Sequence, residues 1–271
     1  MAGVKPQHPE YEAAVKAKRQ FPTLDRLVTD AKLHKHLWRD SDPQEPLALT
    51  LGNALVRGVC VVGWLELQLA TLVPLVHAGA TSALASRLLN GRDGFVHTRS
   101  ELGLAMTLAR DGWQVELDVP LPAPDGRGAR AKDVDLRVTR DGRTRYVDVL
   151  NLQHQNPSSS PNGFGIHMAT SDRIRLLAGK VREKAPKKFD DAWSTAWDGS
   201  AWIAVDFAKH GPAYLSGFLD DGCGRSGWRD GVAASVLASS SRLAGVLIYS
   251  FGANDQVYSD PIQSTAWDAR P

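Results

Sequence analysis

Residues 133–151 (DVDLRVTRDGRTRYVDVLN) limit the fold more than any other stretch of the chain. Val134, Leu136 and Val138 alternate with Asp135 and Arg137, and the same beat resumes beyond Asp141-Gly142 in Val147, Asp148 and Val149. Successive side chains of a strand point to opposite faces, so alternation on both sides of a two-residue Asp-Gly turn specifies a β-hairpin. Asp135 and Asp148 then become the polar residues of two adjacent strands, each interrupting an apolar pattern.

The residues before the hairpin read as a helix from Thr98 (ELGLAMTLARDGW), a strand (QVELDVPL, 114–121) and a glycine-rich turn (PDGRGARAK, 124–132). Leu104, Ala105 and Leu108 lie three, four and seven residues after Glu101, which therefore heads the stripe that faces the core. A carboxylate placed there needs a partner or a metal ion, because burying it alone is costly. Thr98-Arg99-Ser100-Glu101 also fits a capping box, in which Thr98 and Glu101 satisfy free amides at the helix start; the two roles are compatible. One helix and two neighbouring strands thus carry three carboxylates able to hold a hard divalent cation. Asp118, ending QVELD, reads as an exposed strand-end charge, and Asp125 and Asp141 as turn residues. Asp133 is the substitute for Asp135 if the strand register shifts.

Glu101 in a helix, a following strand, Asp135 before an apolar residue, a glycine turn and Asp148 inside an apolar strand together resemble the core of the PD-(D/E)XK nucleases. The resemblance covers roughly residues 92–210. Glu101 matches the helix Glu, Asp135 the Asp of the "PD" pair with Val134 in place of Pro, and Asp148 the acidic residue of "(D/E)XK". Leu150 stands where the family has its Lys, which orients the attacking water or stabilises developing charge. Some relatives supply that Lys from the next helix, and others have lost catalysis. The resemblance implies an α/β, restriction-endonuclease-like mixed β-sheet flanked by helices, with magnesium or manganese on Glu101, Asp135 and Asp148. It implies a metal-dependent nuclease acting on nucleic acid, expected to be DNA. The alternative is a nuclease-like protein that binds nucleic acid or another partner without hydrolysis. If the acids form an empty metal site they repel one another, and Asp148→Asn should stabilise the protein.

Residues 171–189 (SDRIRLLAGKVREKAPKKF) carry Ile174, Leu177, Val181 and Ala185 at helical spacing, and Pro186 should end that helix. Seven basic residues lie between Arg173 and Lys188. Arg173, Lys180, Lys184 and Lys187 share one flank, either as a solvated face or as a phosphate-contacting edge with Arg173, Lys184 and Lys187 on the nucleic acid. Lys180 borders the apolar stripe and is the candidate for the lysine missing at position 150. Residues 151–168 (NLQHQNPSSSPNGFGIHM) read as a polar loop. The runs 201–207 and 245–251 read as strands and 231–242 as a helix, an order that suits parallel pairing. Beyond Ala253 no periodicity is visible.

The 32 basic and 30 acidic residues nearly cancel, so nucleic-acid contact must be local. Cys60 and Cys223 make neither a disulfide framework nor a metal spacing, which suits a cytoplasmic chain. Residues 1–90 are expected to form a helical N-terminal region packed on an α/β core over 91–271. Within it, 47–79 is the most apolar stretch, but Arg57, Glu66, Gln68 and Pro74 interrupt it. It therefore reads as buried helices or a homo-oligomer interface, with no membrane partner.

Overall fold

The computed structural model describes residues 9–37, 60–77, 80–121, 133–151, 170–190, 200–206, 236–238, 240, 242–250 and 263–266. The chain divides into two compact units, Met1–Met106 with Asn254–Tyr258, and Thr107–Ala253 with Ser259–Pro271.

The first unit is helical. Its described helices are α1 (Pro9–Lys18), α2 (Pro22–Leu27), α3 (Asp30–Leu37), α4 (Cys60–Leu72) and α5 (Thr81–Leu88), followed by most of α6 (Gly91–Arg110). Val62, Leu65, Leu69 and Leu72 of α4 are buried at intervals of three and four, the stripe expected of a helix packed along one side. Glu66 interrupts the stripe for a reason: its carboxylate accepts the Thr23 and Leu24 amides at 2.7 and 2.9 Å. Helix α2 begins at Pro22 without a side-chain cap of its own, so Glu66 satisfies amides that the helix leaves open. Lys18 is only 1% exposed and forms ion pairs with Asp25 and, at 2.9 Å, with Asp30. No described helix is long and apolar enough to cross a membrane.

Helix α6 corrects the expected start at Thr98. It begins at Gly91, so Thr98 lies inside it, and the Thr98 hydroxyl donates to Gly94 O at 2.8 Å within the helix. Phe95, Thr98, Leu102 and Ala105 are all buried at i, i+3, i+7 and i+10, and this stripe carries the helix through the apparent capping box. At the other end, Gly112 N–H donates to Ala109 O and Trp113 N–H to Leu108 O, the paired bonds of a Schellman terminus. Gly112 takes φ 83°, which a side chain would disfavour, and the chain turns at once into the sheet.

The second unit is built on a six-stranded sheet in the order β1-β2-β3-β4-β5-β6. The strands are β1 (Gln114–Pro120), β2 (Asp133–Arg140), β3 (Arg143–Asn151), β4 (Ser200–Asp206), β5 (Leu243–Ser250) and β6 (Gln263–Ala266). Strands β1, β2 and β3 pair antiparallel, β3, β4 and β5 parallel, and β6 returns antiparallel to β5. The mixed sheet and the α/β class agree with the expected architecture. The β2–β3 hairpin closes with Arg140 opposite Arg143, and Asp141 and Gly142 adopt φ 52° and 71°, the left-handed pair of a type I′ turn. Strand β6 corrects the reading of the tail as aperiodic: four polar or small residues pair with β5 through backbone bonds that leave no hydrophobic signature.

Helix α7 (Thr170–Ala185) connects β3 to β4 and continues into a π-helical turn over Pro186–Asp190. Ala178, Val181, Ala185 and Phe189 form one buried cluster with Tyr146, Ala201, Ile203 and Val205, so α7 covers one face of the sheet. Pro186 ends the α-helix as its missing amide requires. The turn 124–132, all of the expected loop 151–168 but Asn151, Trp193, Trp197 and most of the expected helix 231–242 lie outside the described residues.

Candidate acidic site

In the second unit the strand register assembles acidic residues. Leu117 faces Leu136 and Val119 faces Val134 across β1–β2, while Leu136 faces Val147 across β2–β3. Asp118, Asp135 and Asp148 therefore occupy one row across three strands. The β2–β3 pairing runs from the turn to Leu136–Val147, and beyond it the Asp135 carboxylate accepts the Val149 amide at 2.6 Å. Asp118 is buried and not the exposed strand-end charge expected; its φ of 55° places it in the left-handed region that aspartate tolerates better than most residues. Asp133 is exposed and stands 3.9 Å from the Lys188 ammonium, while Asp206 is buried at the end of β4.

Asp148 is the most deeply placed of the row, 1% exposed. Two ammonium groups reach it from the α7 side: Lys184 Nζ at 2.5 Å from Oδ2 and Lys188 Nζ at 2.7 Å from Oδ1. The Lys184 contact is ionic and lacks hydrogen-bond alignment to Oδ2, whereas the same ammonium donates to Val149 O at 2.8 Å. For Lys188 the largest influence is burial, which alone would lower its pKa. Attraction to Asp148 and Asp135, its hydrogen bond to Asp148 and attraction to Asp133 together outweigh burial and raise it above the ordinary lysine value. Leu150, two residues on, packs against the apolar cluster under α7.

The remaining basic candidates divide by the side of α7 they occupy. Lys180 is exposed, one helical turn before Lys184. Lys187 is exposed and pairs with Glu183 at 3.1 Å; that hydrogen bond, with the charges of Lys187 and Lys180, lowers the Glu183 pKa. The Arg173 side chain lies outside the described residues. Lys188 was not offered from the sequence as a partner of the acidic residues, although its position four residues after Lys184 is a helical-spacing signal.

In the first unit Glu101 is 3% exposed on α6. His97, one turn earlier, places Nε2 3.0 Å from Glu101 Oε1, and Arg87 from α5 places Nη2 3.1 Å from Oε2. Gly94 allows the end of α5 to come this close, since a Cβ there would stand 3.0 Å from Arg87 O. Neither His97 nor Arg87 was singled out from the sequence; the i, i+4 spacing of His97 and Glu101 was the available clue.

No protein-family model matches the chain, and no curated protein matches it. Among solved structures it is similar to an XisH family protein from Nostoc punctiforme, at 15% identity and TM-score 0.26, over 60% of this chain and 98% of that one. It is also similar to a fdxN element excision controlling factor protein from Anabaena variabilis, at 16% identity and TM-score 0.25, over 59% of this chain and 95% of that one.

Proposed function

We propose that the chain is a cytoplasmic, divalent-metal-dependent nuclease that hydrolyses phosphodiester bonds, with DNA as substrate and magnesium or manganese as the ion. The observation that carries this reading is the buried Asp148 carboxylate, beside Asp135, with Lys184 and Lys188 upon it. A carboxylate and an ammonium side by side match the acid and lysine of the resembled motif, with the lysine arriving from the following helix in place of Leu150.

His97, Glu101 and Asp135 offer one imidazole nitrogen and two carboxylates, donor types that suit a divalent cation. The ion would lower the pKa of a bound water and neutralise charge on the phosphate. Asp135 is aligned by the Val149 amide, which donates to its Oδ2 and orients the carboxylate. Lys184 and Lys188 pair with Asp148 and would present positive charge toward phosphate oxygens.

The same ion pairs favour a second reading, a nuclease-like protein without hydrolysis, because two ammonium groups already neutralise Asp148 and weaken its attraction for a cation. Supercoiled plasmid incubated with protein and magnesium or manganese separates the two. Nicking that disappears in Asp148→Ala supports the enzyme; intact plasmid in both metals, with parent and variant alike, rejects it.

A further inference from the structure

The lysines that the sequence offered to nucleic acid are partly turned inward to Asp148, so the excess positive charge of the sheet lies elsewhere. Residues 137–145 carry four arginines against one acid, Asp141. Arg140, Arg143 and Arg145 share the face of the hairpin opposite Asp135 and Asp148, because Arg140 pairs with Arg143 and strand positions alternate.

Tryptophans hold Arg140 and Arg145 in place. The Arg140 and Arg145 guanidinium carbons lie 4.6 and 4.8 Å from the Trp113 ring centre, and Arg145 also lies 4.3 Å from that of Trp202. Trp202 is fixed by its indole N–H, which donates to Ser200 Oγ at 2.9 Å. Arg140 donates to Asp111 O at 2.9 Å, and its contact with Asp141 is 3.7 Å long with both side chains well exposed. Stacking neutralises no charge and orients the guanidinium plane. Arg143 is exposed and pairs with no acid among the described residues. Because arginines occupy the Trp113 ring, bases have no platform there, and the chemistry on offer is that of phosphate oxygens.

We propose that this end of the hairpin, with Arg140 and Arg145 stacked on Trp113 and Trp202 and Arg143 exposed beside them, docks the phosphodiester backbone of duplex nucleic acid. The surface is separate from the acidic site and does not depend on hydrolysis. It binds without reading sequence, since phosphate contacts position a duplex but carry no base information.

The test is a salt titration, between 50 and 200 mM, of protein binding to a fluorescent 20-base-pair duplex in EDTA. Each phosphate contact contributes about 0.9 to the slope of log affinity against log salt, so Arg140→Gln with Arg143→Gln should flatten the slope by about two and weaken low-salt binding by about tenfold. Arg143→Gln alone, which leaves the stack intact, should flatten it by about one. Unchanged slope and affinity in Arg143→Gln, or no duplex binding by the parent, overturns the proposal. Duplex binding of the expected slope by a parent that never nicks DNA supports this surface while rejecting the nuclease reading. Nicking by a parent whose slope ignores both arginines does the reverse.

Discussion

The Lys188 ammonium lies 2.7 Å from Asp148 Oδ1, and with Lys184 it makes the buried carboxylate the centre of a three-charge cluster carrying one net positive charge. Mutual repulsion among acids therefore does not govern this part of the sheet; attraction between Asp148 and two lysines does.

Asp148→Asn should destabilise the protein, the reverse of what an empty, self-repelling metal site predicts. The lysine side chains are 30% and 19% exposed, so removing their shared counter-charge takes the close ion pair from two partly buried cations and leaves Lys188 only the more distant Asp133, at a cost of about 3 kcal/mol. Chemical denaturation of the metal-free protein measures it. A midpoint at or above that of the parent contradicts the cluster.

Stability should fall at alkaline pH partly through Lys188. Its pKa is raised in the folded state, so the contribution is complete below the ordinary lysine value of about 10.4 and disappears as pH climbs through the higher folded value. Urea midpoints from pH 9 to 11.5 should decline more steeply for the parent than for Lys188→Met. Parallel curves would remove Lys188 from the account.

Glu66→Ala should cost about 1–2 kcal/mol, the usual effect of losing a helix cap, because it strands the Thr23 and Leu24 amides at the start of α2. Glu66→Gln, which keeps an oxygen acceptor, should recover part of the loss. Thermal unfolding of the two variants gives the comparison.

Gly142→Ala should cost about 1–2 kcal/mol, since alanine pays the left-handed penalty at φ 71°. Asp141→Asn should be close to neutral because asparagine accepts the same conformation. Equal stability of Gly142→Ala and the parent would exclude the type I′ turn.

The hairpin was legible because two independent signals, alternation and an Asp-Gly turn, agreed on one register; the placement of Asp135 and Asp148 in adjacent strands followed from it. The start of α6 was not, because Thr98-x-x-Glu101 imitates a capping box, and only the continuation of the stripe to Phe95 reveals a helix already under way. Asp118 sits in a strand at a left-handed kink that no neighbouring residue announces. The choice among α7 lysines was also hidden. Lys180, Lys184 and Lys188 follow one another at single-turn spacing, and which of them meets Asp148 depends on how far the helix advances over the sheet. Strand β6 was invisible for a different reason, since a four-residue strand of Gln263, Ser264, Thr265 and Ala266 has too few apolar side chains to reveal a period.

The sheet joins two kinds of pairing, and that mixture sets an order of assembly. The β2–β3 hairpin closes over two residues, whereas parallel pairing of β3 with β4 must bring together positions on either side of the stretch that contains α7. Loop closure is entropically cheaper for the short turn, and hairpins form within about 1–10 μs. Asp135 and Asp148 are thus brought together early, while Lys184 and Lys188 reach them only when α7 docks. During that interval the nascent sheet exposes a charged row still open to whatever cation the solvent supplies.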